Sequence, residues 1–314
     1  MSESDIKKED WERRLVENLA LASLQEQRRA RKWGIFFKLI TFLYLFILLF
    51  VALGWIEDGK VRIAEKHTAL IDLKGMITAD SNSNADKINA SLRSAFEDKK
   101  TQGIILRINS PGGSPVQAGY IYDEIRRLRS KYSDIPVYAV VGDICASGGY
   151  YVAAAADKIF VDKASLVGSI GVLMDGFGFT GTLEKLGVER RLLTAGENKS
   201  FLDPFTPLDP AQKEHATRLL REIHEQFIQV VKQGRGERLK DAPEIFSGIV
   251  WTGQKSIDLG LADEMGDADY VAREIIQAET LVDFTPNEGL SDLFNKRFSQ
   301  IVFKTLSDLA VSLR

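Results

Sequence analysis

The stretch Gly142-Asp-Ile-Cys-Ala-Ser-Gly-Gly-Tyr-Tyr151 decides the reading of this chain, because it sets a serine at the turn between an apolar strand and a small-residue helix. Before it, Pro136-Val-Tyr-Ala-Val-Val141 has the uncharged, β-branched character of a buried strand; after it, Tyr150-Tyr-Val-Ala-Ala-Ala-Ala156 reads as a helix packed close to its neighbours. Ser147 therefore meets a helix N-terminus, where free backbone N–H groups can hold a developing oxyanion. An ordinary N-cap serine is the plain alternative for Ser-Gly-Gly taken alone.

Outward from this stretch, strands alternate with helices from His67 onward, the pattern of an α/β domain with a mostly parallel sheet. Strands are expected at 67–73, 103–108, 136–141, 158–161 and 188–193. Helices are expected at 84–97, 116–132, 148–156, 253–259 and 268–279, with a long one from Asp209 to Lys232 that has Pro210 in its first turn. In such sheets ligands bind beyond the carboxyl ends of the strands. Asn109-Ser-Pro-Gly-Gly-Ser114 follows one strand and the Ser147 loop follows the next, so the two loops are expected to face each other. Gly112 and Gly113 permit close backbone approach, and an N–H from this pair can join that of Gly148 as oxyanion donors; a plain Pro-Gly-Gly turn is the alternative.

A serine nucleophile needs a base. The chain has three histidines: His67 opens a strand, and His215 and His224 share one long polar helix, so all three read as surface or packing residues. The remaining base type is a lysine made neutral by burial. Lys199 stands out, in Thr194-Ala-Gly-Glu-Asn-Lys-Ser200 ahead of apolar Phe201-Leu202 and Pro204-Phe205, although Glu197 and Asp203 would keep it charged if they point at it.

With 314 residues, 45% hydrophobic and 27% charged, the composition is globular, and a net charge of −3 offers no footprint for nucleic acid. The single cysteine, Cys145, allows no intrachain disulfide and no cysteine-based metal cluster, and no cofactor is expected. Leu39 to Ile56 is an uncharged run long enough to cross a bilayer. A cleaved signal peptide is the alternative, disfavoured by the long polar region in front. Arg28, Arg29, Arg31, Lys32 and Lys38 precede the run, while the cations after it mix with acids, which favours a cytoplasmic N-terminus and an extracytoplasmic remainder. The expected organisation is an amphipathic cytoplasmic segment at 1–33, a transmembrane helix at 34–56, a linker at 57–66, a catalytic domain at 67–285 and an amphipathic tail at 286–314.

Six segments together carry a family resemblance: Leu106-Arg-Ile-Asn-Ser-Pro-Gly-Gly113, Cys145-Ala-Ser-Gly-Gly-Tyr-Tyr-Val-Ala153, Ala156-Asp-Lys-Ile-Phe160, Val167-Gly-Ser-Ile-Gly-Val172, Ala195-Gly-Glu-Asn-Lys199 and Thr252-Gly-Gln-Lys-Ser-Ile-Asp-Leu-Gly-Leu-Ala-Asp-Glu264. In this order they resemble the short-form bacterial signal peptide peptidases, the SppA-type membrane serine peptidases of family S49. The resemblance implies a ClpP/crotonase-like fold and a Ser-Lys dyad, with Ser147 as nucleophile and Lys199 as general base. It further implies that Ser169 orients the lysine and that Gly113 and Gly148 carry the oxyanion-hole amides. Remnant signal peptides and other apolar peptides are the implied substrates, the cytoplasmic membrane the implied location, and a homo-oligomer the implied assembly. The residues 1–33 and the acids near Lys199 depart from the family motif.

Three rival readings remain. Gly176-Phe-Gly-Phe-Thr-Gly181 satisfies a dinucleotide-binding pattern, but Phe177 and Phe179 crowd the approach and little helix fits behind it. A crotonase-type acyl-CoA enzyme would share the fold without a nucleophile, and a non-catalytic membrane scaffold would keep the fold alone.

Overall fold

The computed structural model describes residues 3–52 and 66–286. The chain divides into two compact units, residues 1–62 with 287–314, and residues 63–286. In the first unit, α1 (Glu3–Ala52) is one unbroken helix that runs straight through the expected boundary between residues 33 and 34. Its stretch Glu26–Leu49, 24 residues of mean hydropathy 1.8, is long and apolar enough to cross a membrane: at 1.5 Å per residue such a helix exceeds the roughly 30 Å of a bilayer core. Trp33 packs edge-on against Phe36 and stacks on Phe37, with ring centroids 5.6 and 5.8 Å apart. The expected linker up to residue 65 and the tail from 287 lie outside the described residues.

The second unit is built from β1 (His67–Lys74), α2 (Ala85–Glu97), β2 (Thr101–Ser110), α3 (Pro115–Lys131), β3 (Val137–Ala146), α4 (Gly148–Ala153), β4 (Lys158–Val161), β5 (Leu166–Gly168), α5 (Thr180–Lys185), α6 (Pro210–Arg235), β6 (Val250–Thr252), α7 (Gly253–Asp258), β7 (Glu264–Met265), α8 (Ala268–Tyr270) and β8 (Leu281–Asp283). The sheet runs β6-β5-β3-β2-β1-β8, with β4 beside β3 and β7 beside β4. Every pairing is parallel except β5 with β6. Side chains such as Ile71, Leu73, Ile104, Leu106 and Ile108 are fully buried, as near-continuous aliphatic runs demand of strands covered on both faces. Helix starts follow local chemistry: Asn84, Ser114, Asp209 and Thr252 each accept a backbone N–H as N-caps.

Three features differ from the sequence expectation. β3 continues past Val141 to Ala146 and changes partner on the way, pairing Tyr138–Val140 with β4 and Ile144–Ala146 with β5. Gly142 and Asp143 break the apolar run but not the ladder: the Gly142 carbonyl accepts from the Ser165 hydroxyl at 2.7 Å, and Asn109 Nδ2 donates to Asp143 Oδ2 at 2.8 Å. Asn109 Oδ1 accepts the Ile144 N–H at 3.2 Å, filling the register shift of β2 between Ile108 and Ser110. The second difference is residues 188–193, which form no strand and are exposed. Val188, Leu192 and Leu193 give the run its strand character, but among the described residues no strand edge pairs with it. The helix expected at 268–279 is a short α-turn followed by a π-turn, Val271–Ile276, ending in left-handed Gln277.

Candidate active site

Neighbouring strands β2 and β3 bring their two loops together as the sequence order implied. Ser147 follows β3 directly, with φ 52° and ψ −123°, and caps α4 without any side-chain cap hydrogen bond. The ordinary N-cap role therefore does not hold this hydroxyl. A left-handed serine costs about 1–3 kcal/mol and persists only where its surroundings impose it. Here the Ser147 N–H donates to the Gly168 carbonyl, and the Ser147 carbonyl accepts from the Tyr151 N–H, both at 2.9 Å.

The loop opposite is pinned as firmly. The Gly112 N–H donates to the buried Ser110 hydroxyl at 3.1 Å, the Gly112 carbonyl accepts from Ile77 N–H at 2.9 Å, and Ser114 N–H donates to the Ile77 carbonyl at 2.8 Å. Gly112 and Gly113 have φ of 103° and 150°. A Cβ on Gly112 would lie 2.7 Å from both Ser147 Cβ and Gly148 N, and one on Gly113 would lie 2.2 Å from the Ile77 carbonyl oxygen. Only glycine fits here. A Cβ on Gly148 would lie 3.2 Å from Gly113 N, so the Gly113 and Gly148 amides share one corner with Ser147. Gly148 opens α4 and its N–H has no intrahelical acceptor. Among the described residues, no acceptor takes the Gly113 N–H.

Ser169 lies beside this corner, since β5 ends at Gly168 opposite Ala146. It too is left-handed, at φ 49°. Lys199 does not join the group. It sits in a turn of the long arm between β5 and α6, exposed rather than in the apolar setting expected for it. Among the described residues its ammonium makes no hydrogen bond or ion pair. The arm also exposes Leu173, Phe177, Leu186 and Leu193, the last at 94%. Asp203, a carboxylate near enough in sequence to hold Lys199, pairs instead with Arg190, whose hydrogen bond keeps the carboxyl below its ordinary range.

The histidines behave mostly as packing residues. His67 is buried and stacks on Phe284, and His215 meets the Phe201 ring edge-on. His224 reaches the Ile170 carbonyl, 3.1 Å from Nε2. Cys145 is fully buried, which pushes its thiol up and leaves it a small core residue. Gly176–Gly181 precedes only the six-residue α5 and follows no strand, so the dinucleotide pattern lacks its strand-turn-helix context.

Sequence reading missed two structural supports. Arg235, at the end of α6 and 1% exposed, donates from Nη1 and Nη2 to Asp263 Oδ2 and Oδ1 at 2.8 Å and from Nε to the Gly260 carbonyl at 2.7 Å. Burial works to raise the Asp263 carboxyl, but hydrogen bonds and charge from Arg235 outweigh it and hold the group below its ordinary range. The Tyr150 hydroxyl donates to the Leu261 carbonyl at 2.7 Å, tying α4 to the same segment. The second support is β6, whose Trp251 edge lies on Gly168: a Cβ there would be 3.1 Å from Trp251 Cδ1. The Trp-Thr-Gly run at 251–253 was visible, but three residues give too short a period to read as a strand.

Comparison with known proteins agrees with this architecture. The Clp protease family matches residues 65–166, giving the unit a ClpP-like α/β fold, and Peptidase family S49 matches residues 129–282. Two Brucella proteins named Na(+)/H(+) antiporter NhaA, from Brucella melitensis and Brucella abortus, are each 42% identical over 213 residues. That is 66% of this chain but 29% of their own length, so the chain spans under a third of those relatives. A putative signal peptide peptidase SppA of Enterococcus faecium is 29% identical over 76% of this chain and 70% of its own. A putative protease of Synechocystis is 32% identical over 64% of this chain and 70% of its own. With that last relative matched over most of its length and the S49 profile spanning both the serine turn and the arm, the chain belongs to peptidase family S49.

Proposed function

We propose that this chain is a membrane-anchored serine endopeptidase working through a Ser-Lys dyad. The observation that carries the reading is the Ser147 corner: a strained serine whose hydroxyl has no capping role, facing two glycine amides without acceptors. The Ser147 hydroxyl attacks a peptide carbonyl while its proton passes to the Lys199 amine. The Gly113 and Gly148 N–H groups hold the oxyanion, and Ser169 orients the lysine. The lysine then protonates the leaving amine, and water hydrolyses the acyl-enzyme with Ser147 released.

α1 serves as the anchor, with the second unit outside the cytoplasm. The substrates are remnant signal peptides and other apolar segments released at the membrane. S49 membership and the relatives' names support the peptidase class, and the 24-residue apolar stretch supports the anchor. Homo-oligomerisation is supported by the exposed leucines and phenylalanine of the arm and by a Lys199 that has no partner among the described residues.

The test is hydrolysis of an apolar reporter peptide by the full chain in detergent, beside Ser147→Ala and Lys199→Ala variants of unchanged thermal midpoint. Both variants are expected to lose activity by orders of magnitude. An active Ser147→Ala variant overturns the nucleophile, and an active Lys199→Ala variant overturns the base.

A further inference from the structure

Two non-glycine residues of the site hold left-handed backbones, Ser147 at φ 52° and Ser169 at φ 49°. One hydrogen bond joins their turns: the Ser147 N–H donates to the carbonyl of Gly168, the residue before Ser169. Each conformation is costly on its own, so its persistence has to be traced to the neighbours that impose it. At Ser147 these are the start of α4 and the Gly112–Gly113 loop. At Ser169 three contacts, from Ile249 and β6 on one side and from α6 on the other, meet on residues 168–170. The Ser169 N–H donates to the Ile249 carbonyl at 2.9 Å, the Trp251 ring edge lies on Gly168, and the carbonyl of fully buried Ile170 meets His224 Nε2 at 3.1 Å.

His224 is the only one of these that comes from α6. A carbonyl oxygen can only accept, so Nε2 carries the proton and the ring acts as a donor. A buried carbonyl deprived of its donor bears the full cost of its lost solvation. The Ile170 carbonyl lies in the peptide between Ile170 and Gly171, so losing its donor frees the chain one residue beyond Ser169 and slackens the Ser169 turn from its C-terminal side.

We propose that His224 is a positioning residue of the peptidase site: by holding the Ile170 carbonyl from α6 it fixes the Ser169 turn, and through the Gly168 carbonyl it fixes the backbone of Ser147. The proposal rests on the serine-peptidase reading above. It assigns His224 no proton transfer and no contact with substrate. The donor is what matters, so glutamine, whose amide nitrogen stands at the same number of bonds from the backbone as Nε2, replaces it.

The experiment uses the full chain in detergent with an apolar reporter peptide. His224→Ala is expected to lower kcat by about 10–100-fold, the scale of a misplaced reacting group, with KM within about twofold, because substrate contacts are untouched. His224→Gln is expected to recover most of the loss. In a Ser169→Ala background, where the turn no longer presents its hydroxyl, His224→Ala is expected to cost less than in the parent, because only the path through Gly168 to Ser147 remains. Amide hydrogen exchange reads the same contact without activity: exchange at Ser169 and Ser147 accelerates in His224→Ala and returns in His224→Gln. Undiminished kcat in His224→Ala, failure of glutamine to rescue, or full multiplication with Ser169→Ala overturns the assignment of His224. An active Ser147→Ala variant instead overturns the peptidase reading on which it rests.

Discussion

The Ser147 corner and the arm that carries Lys199 are opposite kinds of structure. The corner is over-determined: two glycines that admit no side chain, a buried Ser110 hydroxyl holding their loop, and a serine in a backbone conformation it would not choose alone. The arm is under-determined, with Leu193 and Leu173 at 94% and 82% exposure and a lysine that meets no acid or acceptor among the described residues. A single chain builds the corner proposed to carry the nucleophile and the oxyanion donors, and leaves the proposed base on an exposed arm. The difference teaches that, on the proposed function, folding alone places one half of the dyad, while the other half calls for association.

That contrast can be broken or sharpened in order of effect. Ser147→Ala is expected to reduce peptide hydrolysis on the order of 10⁴-fold or more while the thermal midpoint stays in place; retained turnover, measured on purified full chain, would deny the corner its role. Gly113→Ala comes next, because its Cβ would lie 2.2 Å from the Ile77 carbonyl oxygen and must displace the loop. A loss of about 10²–10³-fold in kcat is expected, the scale of an oxyanion donor, and normal kcat would mean that this amide is not used.

Arg235→Met tests the frame behind the corner. Removing the buried partner of Asp263 is expected to cost about 3–5 kcal/mol in denaturant unfolding. A cost below 1 kcal/mol would show that α6 is held otherwise. A smaller effect is expected at the α2–α3 contact. There a hydrogen bond from Arg127, aided by Arg93 against partial burial, lowers the Glu124 carboxyl from 4.5 to about 2. A depressed carboxylate contributes stability that is fully present above its ordinary value and lost as pH falls through the folded one. The gap in urea midpoint between the parent and Glu124→Gln is therefore expected to be constant above about pH 5 and to close toward pH 2. A gap that stays open at pH 2 would assign it to packing rather than charge.

Smallest of all, Leu193→Ser in the arm is expected to shift unfolding by no more than about 0.5 kcal/mol, as for an exposed side chain, while shrinking the detergent-solubilised assembly in size-exclusion chromatography. Marked destabilisation without a change of size would mean that the arm packs on its own chain.

The sequence by itself determined the parallel order of β1, β2 and β3 and the meeting of their loops. Aliphatic runs of strand length and Pro-Gly-Gly and Ser-Gly-Gly turns are local signals, and consecutive parallel strands lie side by side. Ser147 and Gly148, with one of Gly112 and Gly113, came as a candidate corner from the same local chemistry, and Lys199 stood out by its apolar neighbours in sequence; the choice of Gly113 and the role of Ser169 came only through the family resemblance. The short strands β5 to β8 were not legible, since two or three residues carry no period, and they exist because a neighbouring edge offers its hydrogen bonds. Residues 188–193 failed in the opposite sense: strand-like side chains with no edge to join. Only the tertiary structure decided that β3 changes partner at Gly142, that Arg235 and Asp263 pair in the interior, and that His224 reaches Ile170 across 54 residues of chain. Each of these depends on elements far apart in sequence meeting in space, and a buried polar group takes whichever partner the packing brings to it.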